Sequence, residues 1–185
     1  MPLSPFQPVS GPRVQVREVA EADLPDLMAV NGDDQVTAFL PYASWQGLDD
    51  AKAWLQRMQA MAEAGTARQL VMVHGESGRT IGTVLLFRWD EASARLELGY
   101  VLGRAWWGQG LAREAVQLVV GQAFADLGVR RIEAEVHPAN AASNALLLSL
   151  GFVHEGLARE RWVAKGRAYG VNLWGVLAHE WPGAV

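Results

Sequence analysis

Apolar and polar residues alternate with period two over residues 13–19 (RVQVREV), which predicts a strand with one buried face. The segment EADLPDLMAVN predicts a short helix ending near Asn31-Gly32. Over residues 49–64 the period lengthens. Ala51, Trp54, Leu55, Met58 and Met61 share one side of a helix, and Asp49 and Asp50 stand at its start, where negative charge suits the dipole. QLVMVH (69–74) and TIGTVLLFRW (80–89) flank the turn residues GESGR and predict a hairpin. ARLELGYVL (94–102) predicts another strand, with Leu96, Leu98, Tyr100 and Leu102 on one face and Arg95, Glu97, Gly99 and Val101 on the other.

After residue 102 the rhythm changes. GRAWWGQGLA breaks the strand, and a helix is predicted from about 109 to 127 with Ala112, Val116, Val119, Ala123 and Leu127 inward. RRIEAEVH (130–137) predicts a strand stopped by Pro138, and NAASNALLLSL (140–150) a helix closed by Gly151 in the left-handed conformation. FVHEGLARERWVA and AYGVNLWGVLAHEW predict a last strand pair around Lys165-Gly166. The order β-α-α-β-β-β-α-β-α-β-β implies one α/β (α+β) domain, a mixed central β-sheet flanked by helices, over residues 13–180. Residues 1–12 have three prolines in the first eight positions and are expected to form a flexible N-terminal arm.

The 185 residues are 50% hydrophobic and 19% charged, an ordinary globular composition. Sixteen basic against 20 acidic residues, a net charge of −4, argue against a nucleic-acid partner held by its phosphates. The absence of cysteine excludes disulfides, thiolate metal sites and cysteine nucleophiles. No apolar run approaches the ~20 residues that cross a bilayer, and the N-terminus lacks a signal-peptide core, so no membrane partner and a cytoplasmic location are expected. His74, His154 and His179 show no ligand spacing, and no metal is expected.

The most informative stretch runs from Leu102 to Arg113, where a strand ends, Gly108, Gln109 and Gly110 form a loop, and a helix starts at once. A helix start presents unpaired N–H groups, and glycines let a ligand approach the backbone, which suits a diphosphate. A tight strand-to-helix turn would use the same residues. A Walker A loop would need Lys-Ser or Lys-Thr where Leu111-Ala112 stands, and a dinucleotide fingerprint would need glycine where Arg113 stands. A nicotinamide-dependent oxidoreductase therefore has little support.

WWGQGLAREA resembles the pyrophosphate loop of the GCN5-related N-acetyltransferases, (Arg/Gln)-x-x-Gly-x-(Gly/Ala), with Trp107 at the Arg/Gln position, Gly110 at the glycine and Ala112 at the small residue. PANAASNALLLSLGFVHEG resembles the Asn-x-x-Ser/Ala…Gly-Phe segment of that family through Asn140, Ser143, Gly151 and Phe152. LELGYVL resembles the Glu-x-Gly-Tyr strand of its ribosomal-protein (Rim-type) branch, and DDQVTAFLPY (33–42) its first substrate loop. The resemblance spans residues 13 to 178. It implies that strands 94–102 and 130–137 splay apart into an acetyl-CoA cleft. The backbone of Tyr100, Val101 and Leu102 would pair with pantetheine, and the amides of Gly108, Gln109, Gly110, Leu111, Ala112 and Arg113, beside Trp107, would hold the pyrophosphate. Asn140 and Ser143 would lie along the cofactor arm, although Asn140 also suits a helix N-cap.

The same resemblance implies an amine acceptor, which must lose a proton before it attacks. At neutral pH this costs an α-amine roughly 1–1.4 kcal/mol and a lysine about 4.6 kcal/mol. Glu97 is the candidate base, against the alternative of a solvated strand residue. The family's usual acid is a Tyr seven residues after the motif Asn, where this chain has Leu147. Ser143 and His137 are the substitutes, with Tyr100 behind them; the alternatives are a Ser143 that bonds only within its helix and a His137 that only caps a strand end. Trp45 and Trp162 would flank the acceptor channel, Trp54 is expected in the core, and Asp33, Asp34, Asp49 and Asp50 would either make the channel acidic or cap helices. The favoured acceptor is the N-terminal α-amine of a protein or peptide. A small-molecule amine, a non-catalytic acyl-CoA-binding module and assembly as a homodimer all stay open.

Overall fold

The computed structural model describes residues 2–182. Its strands are β1 (Val9–Ser10), β2 (Val14–Glu18), β3 (Arg68–His74), β4 (Thr80–Asp90), β5 (Arg95–Leu102), β6 (Arg131–Val136), β7 (Val153–Ala164) and β8 (Arg167–Leu177). The helices are α1 (Leu24–Asn31), α2 (Asp34–Thr37), α3 (Leu48–Glu63), α4 (Leu111–Asp126) and α5 (Ala141–Ser149). All the elements anticipated from the hydrophobic pattern occur in the anticipated order, and β1 and α2 are additional.

The strands form one sheet in the order β1-β2-β3-β4-β5-β6-β8-β7. Up to β5 neighbours in the chain are antiparallel neighbours in the sheet. The crossover through α4 then makes β6 parallel to β5, and that pairing lasts only from Arg95↔Arg131 to Glu97↔Glu133. Beyond it β5 stays on β4 up to Leu102 and β6 stays on β8 up to Val136, so the two strands diverge.

Helices cover both faces. On one, α4 buries Leu111, Ala115, Val116, Val119, Val120 and Ala123 against Leu96, Leu98, Ile132 and Ala134. The inward stripe is centred one residue from the expected set, and Ala112 and Leu127 lie at its half-exposed margins. On the other face Leu24, Leu27, Ala51 and Leu55 pack on Val71. Asp23 fastens this second layer: its carboxylate accepts two bonds from Arg17 at 2.8 Å, one from Thr80 Oγ1 at 2.6 Å and one from the Ala20 amide at 2.8 Å. Burial pushes the Asp23 carboxyl up, but those four bonds outweigh it and leave it below its ordinary range.

The N-terminal segment is not the loose arm that its prolines suggest. Leu3 and Phe6 are buried in the main core, the Arg68 guanidinium donates to the carbonyls of Leu3 and Ser4, and β1 pairs with β2. The prolines remove donors, yet two large apolar side chains still find core positions, and Arg68 meets the carbonyls they leave. At the other end Trp181, one residue past the expected boundary, is buried too.

Candidate active site

A cavity of about 730 Å³ opens where β5 and β6 part. It runs from the α3 side of the sheet, past Glu97 and Glu135, to Tyr100, Asn140 and Ser143. Antiparallel pairing turns alternate backbone groups toward and away from a neighbour. Gly103 donates to Ile81 on the β4 side, so Val101 also faces β4, whereas Tyr100 and Leu102 face the gap. Of the three residues expected to offer backbone to pantetheine, Val101 differs: it lines the cavity, but its peptide groups face β4 and not the gap. The Leu102 carbonyl accepts a 2.8 Å bond from the Trp107 indole, which leaves Tyr100 the free edge.

The glycine loop has the anticipated form. Gly108 and Gly110 have φ of 72° and 77°, and Gly110 starts the 16-residue α4 with no side chain capping it. The first helical amides at Leu111, Ala112 and Arg113 lack intrahelical acceptors by geometry and point at the mouth of the loop. Open space surrounds the position a Cβ would take at Gly108. Arg13, the residue before β2, braces the loop, donating to the Gln109 carbonyl at 2.7 Å while its Nε meets Glu114 at 2.9 Å. Gln109 itself bonds Ala105, and Arg113 lies over Ser149 and Gln117. An uncapped helix start, two left-handed glycines and an adjacent guanidinium fit a diphosphate.

Asn140 caps α5, its Oδ1 accepting from the Ser143 amide at 3.2 Å. That bond leaves Ser143 Oγ free to sit 2.7 Å from the Tyr100 hydroxyl. Enclosure pushes the Tyr100 phenol well above its ordinary range, so both groups keep their protons at neutral pH. Asn144, unmarked by sequence reasoning, ties the wall together: its amide donates to the carbonyls of His137 and Asn140, and its Oδ1 accepts from Asn172 and Trp174. His137 lines the cavity between the rings of Phe39 and Tyr169; its Nδ1 accepts the Ala139 amide, so the neutral ring carries its proton on Nε2. Leu147 is buried in the core and does not reach the cavity.

Glu97 is 8% exposed and not a solvated strand residue. Burial pushes its carboxyl above the ordinary range; Arg88, with Nη1 2.6 Å from Oε2, acts against that, and the charge of Glu135 adds to it. Glu135 lies across the strand gap and accepts from the Trp162 indole at 2.7 Å and from Arg161 at 2.9 Å, with Arg88 at 3.6 Å. Arg88 and Glu160 are non-glycine residues with φ of 53° and 49°, each at a register shift, in β4 and β7. These bulges aim Arg88, and Arg161 with Trp162, at the two carboxylates. The alternation in RIEAEV was the available signal for Glu135, since Ile132, Ala134 and Val136 take the core face.

Trp45 and Trp162 both line the cavity, as does Trp54, which is half-buried and packs on the Leu24, Leu27, Ala51 and Leu55 core from the cavity side; its ring lies 5.3 Å from that of Trp45. Asp33 caps α2 and pairs with Arg104, and Asp34 accepts from Ser44. Of the four aspartates weighed as an acidic channel, Asp50 alone lines the cavity. Among the described residues no cluster of metal-ligating side chains occurs and no helix is long and apolar enough to cross a membrane.

The family model for an acetyltransferase (GNAT) domain matches residues 13–153. The chain is 34% identical over 171 residues, 92% of its length and 96% of the relative's, to a Bacillus licheniformis protein called uncharacterized N-acetyltransferase p20. It is 36% identical over 70 residues, 38% of its length and 36% of the relative's, to the Escherichia coli [ribosomal protein uS5]-alanine N-acetyltransferase. A crystal structure of a GCN5-related N-acetyltransferase from Brucella melitensis superposes with a TM-score of 0.86 at 25% identity, covering 99% of this chain and 85% of that one.

Proposed function

The chain belongs to the GNAT acetyltransferase family, acyltransferases that use acetyl-CoA, and on that premise we propose that its acceptor is the N-terminal α-amine of a protein or peptide. One observation carries the mechanism: a single cavity passes through the strand gap with the Glu97 carboxylate on one side and the Ser143–Tyr100 hydroxyl pair on the other. Bound acetyl-CoA supplies a thioester as acetyl donor. The amides from Gly108 to Arg113, braced by Arg13, hold its pyrophosphate, while the open backbone of Tyr100 and the side of Asn140 line its arm.

Glu97 takes the amine's proton, directly or through a water. Its raised pKa brings the carboxylate closer to an α-amine, so the transfer is less uphill than to an ordinary exposed carboxylate. Ser143 Oγ holds the proton for the departing sulfur, and Tyr100 backs it. His137, with its donor on Nε2, stands at the same cavity as a second donor. The uS5-alanine acetyltransferase among the similar proteins supports the α-amine reading.

The test measures CoA release from acetyl-CoA with short peptides as acceptors, free and N-terminally blocked, beside calorimetric binding of acetyl-CoA. Turnover with free peptides alone supports the reading. Tight acetyl-CoA binding without turnover on any amine leaves an acyl-CoA-binding module in its place.

A further inference from the structure

The acceptor half of the cavity has a definite chemistry. Its wall on the α3 side carries Trp45, Trp54, Phe87 and Met58, and its rim carries Phe39 and Tyr42. The two rim aromatics are 37% and 41% exposed, apolar surface left open to water around an entrance. Charge is sparse by comparison. Glu97 and Glu135 face Arg88 and Arg161, and Asp50 accepts the Gln46 amide and shares the wall with Arg57. A polycation would meet carboxylates already matched by guanidinium groups. A single ammonium beside Glu97, with an apolar group reaching toward the tryptophans, matches both features at once.

Resting on the α-amine reading above, we propose that this enzyme selects a primary amine carried one or two carbons from a large apolar group, such as an N-terminal Phe, Trp or Leu. A free arylalkyl amine presents the same chemistry. The Trp45–Trp54 pair then sets specificity, because burying a large apolar side chain rather than a methyl group discriminates by well over tenfold.

The experiment compares kcat/KM for peptides differing only in their first residue (Ala, Ser, Leu, Phe, Trp), for phenethylamine and for spermidine. We expect Phe, Trp and Leu peptides to exceed Ala by about 30-fold or more and spermidine to be the poorest. The faster of the Phe peptide and phenethylamine identifies the source of the amine. Phe39→Ala, at an exposed rim position, and Trp54→Ala should both narrow the Phe-to-Ala ratio. A flat series, or preference for Ala, Ser or spermidine, overturns this inference and leaves the transferase reading standing. No turnover with any amine while acetyl-CoA binds overturns both.

Discussion

The Tyr100 hydroxyl lies 2.7 Å from Ser143 Oγ, joining β5 to the first turn of α5 across the strand gap. The helix cap uses the Ser143 amide and not its side chain, so Ser143→Ala should leave α5 formed. If this hydroxyl protonates the leaving sulfur, kcat falls by roughly 10²-fold, with Tyr100→Phe intermediate and acetyl-CoA affinity little changed. A fall below threefold in both variants would show that neither hydroxyl protonates the sulfur, and adding His137→Ala to Ser143→Ala then separates the second donor from a thiolate that leaves unaided.

The Glu97 carboxylate answers to Arg88, Arg161, Glu133 and Glu135. Only its deprotonated form accepts a proton, so activity should rise with pH through its raised pKa. Glu97→Gln should lower kcat/KM by about 10²-fold and flatten that limb. Arg88→Gln removes the charge favouring the carboxylate and should move the limb to higher pH, whereas mere loss of packing would lower the rate at every pH.

Gly108 holds φ of 72° with nothing near its missing Cβ, so Gly108→Ala probes backbone strain without a clash. A left-handed alanine costs about 1–2 kcal/mol, which predicts a melting temperature of the free protein lower by about 2–8 °C if the loop keeps its conformation; if the loop relaxes instead, the cost moves to the ligand and acetyl-CoA binds about 5–30-fold more weakly in calorimetry.

Asp23 is buried and its carboxyl is held low in the folded state. That stability is present above the ordinary carboxylate pKa and is lost as pH falls through the lower folded one. Asp23→Asn should cost about 3 kcal/mol at pH 7, the low end for a broken buried pair because Arg17 is a third exposed, and the cost should shrink in acid. Urea titrations at pH 7 and pH 3 measure both.

The elements were legible because their apolar periods are strong: RVQVREV and the α3 stripe each admit one reading. The N-terminal segment misled because prolines describe what a backbone cannot do, whereas Leu3 and Phe6 are placed by a core assembled from distant strands. The glycine loop was readable from local spacing as a strand-to-helix turn, whereas Glu97, Asn140 and Ser143 stood out only through the resemblance of their motifs to the acetyltransferase family. The Arg88–Glu97 pair and Glu135 under Trp162 depend on bulges and on β5 meeting β6, and the place of Trp54 on the cavity wall depends on α3 packing over the sheet, relations between residues far apart in sequence.

The parallel junction between β5 and β6 has three register pairs, against seven for β4–β5 and six for β6–β8. The sheet is thus two rafts lashed at one corner, and the sub-global opening of lowest free energy should run along that seam. Amide exchange should find β6 less protected than β4 in the free protein, with the difference shrinking as acetyl-CoA is added. The cohesion of this fold would then rise and fall with the supply of its own substrate.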